Sequence, residues 1–263
     1  MLSTLTLFKV LVALHICSGS VGLVSFWIPI AGKKGAVAHR RFGTLFINTM
    51  LVTGIVAVAI ALTTLSDPIG THPHLVDHEL FNDRRLIGGI FGWMMLYLAT
   101  LTVNLAWQGK LCIQNRNDHF KNRAWHNLLL QLLLTIAAAN CVWQGWRLNQ
   151  PMMMGIAMVG FATVATNLWF IYKPRPTALD RVKEHIKSLV GAGISVYTAF
   201  FAFGAVRLMP ELALTPGLWA VPLVTGLGLI IWHQRVVTLQ TRARSGRASA
   251  GHPVVQSRQQ RTA

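Results

Sequence analysis

Seven stretches of the chain are apolar for long enough to cross a bilayer: 4–29, 43–65, 86–107, 125–147, 152–172, 186–208 and 217–238. A helix needs about 20 apolar residues to span the hydrocarbon layer. Each stretch lacks Asp and Glu. Backbone N–H and C=O groups cannot stay unpaired in lipid, so a spanning segment is a helix or a strand of a closed barrel. Barrel strands alternate apolar and polar positions over about 10 residues. The run Leu128-Leu129-Leu130-Gln131-Leu132-Leu133-Leu134 does not alternate. The pattern predicts an all-α polytopic transmembrane helix bundle of about seven spans. The first stretch differs from a cleaved signal peptide. Its only charge, Lys9, sits inside the apolar run, which continues to Ile30 without a small-residue cleavage site.

Composition agrees with that reading. Of 263 residues, 53% are hydrophobic and 12% charged, and the mean hydropathy is +0.47. That charged share is about half the usual one for soluble domains. Cys17, Cys112 and Cys141 have neither the spacing of a disulfide framework nor that of a zinc site.

The net charge of +16 would suggest nucleic acid if it were gathered in one patch. It is spread instead over the links between spans one and two, three and four, and five and six, and over the C-terminal segment. These hold 19 of the 24 Lys and Arg. The other side holds Lys9, Arg84, Arg85, Arg147 and Arg207. Basic links mark the cytoplasmic side, so the N-terminus is expected outside and the C-terminus in the cytoplasm of a cell inner membrane. The partners implied are anionic lipid headgroups at the cytoplasmic face, with no nucleic acid. Residues 1–239 read as one bundle domain and 240–263 as a basic, disordered tail. Trp27, Trp107, Trp125, Trp169 and Trp232 fall near cytoplasmic span ends, and Trp143, Trp146 and Trp219 near outer ends, as two aromatic belts.

Candidate chemistry rests on histidine. His15 lies near the middle of the first span, one helical turn before Gly19. It reads either as a neutral side chain bonded to a neighbouring helix or as a haem ligand, metal ligand or proton-handling group. His39, His126, His185 and His233 fall at one level, each at the cytoplasmic boundary of a different span. Imidazole suits iron, copper and zinc, and is also at ease in an interface. The outer link holds His72, His74, Asp77, His78, Glu79 and Asp83, which are possible ligands for a divalent metal in no closed motif.

Polar residues inside the spans form further faces. His185, Ser188, Gly191, Ser195, Thr198 and Ala202 share a stripe at helical spacing. His126, Ala137, Asn140 and Gln144 share another, and Asn48, Asn104 and Asn167 lie in three other spans. Such residues pair across helices or line a polar cavity. Gly88-x3-Gly92 is a weak packing signal. The absence of Asp and Glu from the spans argues against a carboxylate relay, and no phosphate-binding loop, nucleophile elbow or His-Glu-x2-His occurs.

The stretch His15-x3-Gly19, Gly32-Lys33-Lys34-Gly35, His39-Arg40-Arg41-x-Gly43 to Met50 resembles a family of predicted bacterial integral membrane proteins, domain of unknown function 2306. The segment His185-x3-Leu189-x-Gly191 through Tyr197-Thr198-Ala199-Phe200 is similar to a later motif of that family. The resemblance implies a multi-span bacterial inner-membrane protein and brings no substrate or activity. Its matching positions are His15, His39 and His185.

Three functions stand open. One is a redox module holding haem b between His ligands. Another is a transporter for a small molecule, proton or metal. The third is a structural or assembly subunit acting through a protein partner.

Overall fold

The fold was taken from a computed structural model, which describes residues 3–75, 83–204 and 216–250. The described residues contain helices and no strand. Seven long helices follow in chain order: α1 (Thr4–Ala31), α2 (Val37–Ser66), α3 (Arg84–Gln114), α4 (Trp125–Arg147), α5 (Pro151–Tyr172), α6 (Ala178–Ala199) and α7 (Pro216–Ala250). All but α6 are long and apolar enough to cross a membrane, which makes six. The expected sixth span, 186–208, corresponds to α6 and a π-helical extension, Phe200–Gly204; the rest of that span, with Arg207, lies outside the described residues.

α3 is the hub. It packs against α2, α4 and α6, while α1 leans on α2, α5 on α4 and α7 on α6. In the most apolar window of α3, 56% of residues are buried, against 11% in α1 and 17% in α7. Small residues set the closest approaches. A Cβ on Gly54 of α2 would stand 2.6 Å from Val103 Cγ2 of α3, and one on Gly109 of α3 would stand 2.5 Å from Leu189 Cδ2 of α6. Gly92 of the Gly88-x3-Gly92 pair faces Leu65 of α2, within a π-helical stretch of α3, Gly88–Met94.

Several helices start or end away from the expected boundaries. α2 begins at Val37, so His39, Arg40 and Arg41 belong to its first turns. α6 begins at Ala178 because Thr177 and Asp180 form a capping box that satisfies orphan N–H groups at the helix start. Its first two turns therefore carry Asp180, Arg181, Lys183 and Glu184. α7 continues to Ala250, past the boundary expected at 239, and residues 251–263 lie outside the described residues.

Large apolar side chains cover the outside, among them Val24, Leu132, Ile136 and Val224. Trp27, Trp125, Trp143, Trp146, Trp169 and Trp232 are exposed, as belt residues should be. Trp219 is buried instead, packed into the core.

Candidate functional site

Four neighbouring helices each bury a pair of polar residues one helical turn apart. The pairs are Asn104 and Gln108 on α3, Asn127 and Gln131 on α4, Thr163 and Asn167 on α5, and Glu184 and Ser188 on α6. Residues four apart share a helix face, so each helix presents two polar levels to its neighbours.

The side chains bond across the helices. Asn167 Nδ2 donates to Asn104 Oδ1 at 2.8 Å and to Gln131 Oε1 at 3.2 Å. Gln108 Nε2 donates to Glu184 Oε1 at 3.2 Å. Asn127 Nδ2 donates to the Asn122 carbonyl at 2.8 Å. Asn115 Nδ2 and His119, which donates Nε2–H to the Phe170 carbonyl, extend the network through Asn122 to the end of the bundle. Each bond of this kind between membrane helices is worth about 1 kcal/mol. Asn127 Oδ1, Gln131 Nε2 and Ser188 Oγ are buried and have no partner among the described residues.

A charged pair lies in this network. Lys187 Nζ donates to Glu184 Oε1 at 2.8 Å, to Asn167 Oδ1 at 2.9 Å and to Thr166 Oγ1 at 3.0 Å. The Glu184 side chain is 8% exposed. A carboxylate inside the bundle was not expected from the spans. It enters because the capping box starts α6 eight residues before the apolar run at 186, with two helical turns of charged residues ahead of that run. The signal was in the sequence: Glu184, Lys187, Ser188 and Gly191 recur at helical spacing.

A cleft of about 230 Å³ opens beside the pair, lined by Thr166, Phe170, Lys173, Lys183, Glu184 and Lys187 among others. Lys173 reaches Asp180 at 2.9 Å on its rim. Burial alone would raise the Asp180 pKa, but Lys173 and the Thr177 hydrogen bonds outweigh it and hold the group at about 2.

The histidines divide into groups. His39, His185 and His233 gather at one end of the bundle: His185 lies within electrostatic range of His39, and His39 and His233 lie within range of Lys34. The Lys34 ammonium caps the end of α1, 2.7 Å from the Pro29 carbonyl and 2.6 Å from that of Ile30. His39 Nδ1 lies 3.2 Å from the Pro29 carbonyl and His185 Nδ1 2.8 Å from that of Gly109. A carbonyl only accepts, so Nδ1 carries the proton and Nε2 keeps its lone pair. His233 Nε2 is buried and has no partner among the described residues.

His126 does not join them. It is exposed, with Trp107 and Trp125 at 5.9 and 6.0 Å between ring centroids. The buried face of α4 runs instead through Asn127, Gln131, Leu134, Ala138, Cys141 and Gly145, one position from the stripe expected through His126 and Asn140. Asn48 is exposed as well.

His15 ties α1 to α2, with Nδ1 3.2 Å from the Thr53 carbonyl and Ser18 accepting from Thr53 Oγ1 at 2.8 Å. On the link between α2 and α3, His72 is buried against Phe8 and Phe91, with His74 at 6.0 Å between ring centroids. Burial, and then the neighbouring His74, push its pKa down to about 4. Asp77, His78 and Glu79 lie outside the described residues. Among the described residues, no three His, Cys, Asp or Glu side chains come together to hold a metal ion.

No family model, curated protein or solved structure matches the chain.

Proposed function

We propose that the chain is a multi-pass membrane transport protein that moves protons through the polar core shared by α3, α4, α5 and α6. One observation carries the reading: a buried Glu184–Lys187 pair bonded into a chain of carboxamides beside an open cleft. Ionisable groups inside helix bundles are costly in lipid and commonly mark ion and proton pathways. Glu184 is the group able to take up and release the proton. Asn127 Oδ1, Gln131 Nε2 and Ser188 Oγ offer the open hydrogen-bonding positions that buried water completes in such networks.

The reading includes seven spans, with α6 as the sixth, and a C-terminus in the cytoplasm of a bacterial inner membrane. The bias of 19 among 24 basic residues supports that orientation. Membership of the family named above belongs to it too. In support, His15, His39 and His185 each turn Nδ1 toward a backbone carbonyl.

The test is proton flux into liposomes holding the full chain and a pH-sensitive dye, driven by a potassium diffusion potential. Flux above that of empty liposomes is expected, falling roughly tenfold or more in Glu184→Gln. Equal flux from Glu184→Gln, or none from the wild type, overturns the proposal.

A second reading, a redox module with haem b, is favoured by His39 and His185. Ligating imidazoles commonly donate their other N–H to a carbonyl, as these two do. Under this reading the purified protein shows a Soret band that shifts on reduction with dithionite, and His185→Ala loses it. A colourless wild type disposes of it.

A further inference from the structure

A second cleft, of about 430 Å³, adjoins the first and shares Lys183 and Gln234 with it. One wall is Lys183 of α6, and the other is a face of α7 carrying Gln234, Arg235, Thr238 and Arg242. Arg235, Thr238 and Arg242 follow at helical spacing, so one face of α7 carries both arginines along the cleft, their Cα atoms about 10 Å apart. Gln234 Nε2 donates to the Lys183 carbonyl at 3.1 Å, which joins the two walls. Thr238 Oγ1 donates to the Gln234 carbonyl at 2.6 Å, leaving the hydroxyl oxygen able to accept. Ile231 and Leu239 supply apolar lining.

The charge in this place is one-sided. Among the described residues, no Asp or Glu lines the larger cleft. In the smaller one, the two carboxylates are already engaged, Asp180 by Lys173 and Glu184 by Lys187. Lys183, Arg235 and Arg242 have no ion pair among the described residues. Three cations around one cleft, two of them guanidinium forks suited to bidentate contacts, fit an oxyanion with several acceptor oxygens.

We propose that this cleft between α6 and α7 binds a phosphate-bearing anion, held by Lys183, Arg235 and Arg242. The site stands apart from the proton reading, since it uses neither Glu184 nor Lys187. The phosphate could belong to a lipid headgroup, with the acyl chains along Ile231, or to a soluble phosphate ester.

The experiment uses the full chain in nanodiscs of zwitterionic phosphatidylcholine. Phosphatidylglycerol is introduced in steps and bound lipid is counted by native mass spectrometry, while glycerol 3-phosphate is titrated separately with thermal unfolding as the readout. Saturable binding of either probe is expected, weakened about tenfold or more in Arg235→Ala/Arg242→Ala and unchanged in Arg116→Ala, an exposed charge elsewhere. Retention of phosphatidylglycerol alone identifies a lipid site; binding of glycerol 3-phosphate in lipid lacking phosphatidylglycerol identifies a soluble ligand. Both outcomes support a phosphate site. If neither probe binds saturably, or Arg116→Ala weakens binding as much as the double variant, the proposal fails. Both arginines are exposed, so the double variant keeps its fold, which its unfolding temperature without ligand checks.

Discussion

Glu184 and Lys187 stand three residues apart on α6, and each makes the other tolerable inside the bundle. Removing one partner of a buried pair strands a charge at a cost of about 3–5 kcal/mol, whereas replacing both by neutral side chains of similar size is often close to neutral. The Lys187 side chain keeps 22% exposure, so solvent screens part of the effect. Lys187→Met is expected to destabilise by about 2 kcal/mol, and Glu184→Gln/Lys187→Met to recover most of that loss. Denaturant unfolding in detergent reads the cycle; additive single effects would show that the two residues are not coupled. At this scale the sequence was informative about Asn104, Asn167 and Ser188, which are buried polar residues in the fold. It pointed to His126 where the neighbouring Asn127 faces inward, because a shift of one position turns a helical residue by about 100°.

Among the elements, α6 departs furthest from its hydropathy pattern. An apolar run places its start at 186, but the helix begins at Ala178 because the Thr177–Asp180 box closes its first turn. That cap depends on an ionised Asp180. With a folded pKa of about 2 against an ordinary value near 4, its contribution is complete above about pH 4 and disappears as pH falls toward 2. Amide exchange tests this directly. Asp180→Asn is expected to speed exchange at residues 178–184 at neutral pH while leaving α4 unchanged. Equal protection in that turn would remove the box as the reason α6 starts where it does. α3 departs in another way: its π-helical turn, Gly88–Met94, adds a local irregularity that hydropathy does not register.

Across the whole molecule, six helices are long and apolar enough to span a membrane, α3 central among them, with α6 set between α3 and α7. The membrane-like class, the helical elements and the uneven basic charge were all legible in the sequence. Lipid imposes a length and forbids unpaired backbone, and both requirements are met residue by residue along one chain. The tertiary structure alone decided which polar side chains meet. In lipid the outward face of a helix is as apolar as the inward one, so a sequence stripe carries little record of which way it turns. Close contacts such as Gly54 on Val103 and Gly109 on Leu189 set the helices' positions, and those contacts bring Glu184 to Gln108. Helix rotation and depth are collective properties of the packed bundle, and no single segment contains them.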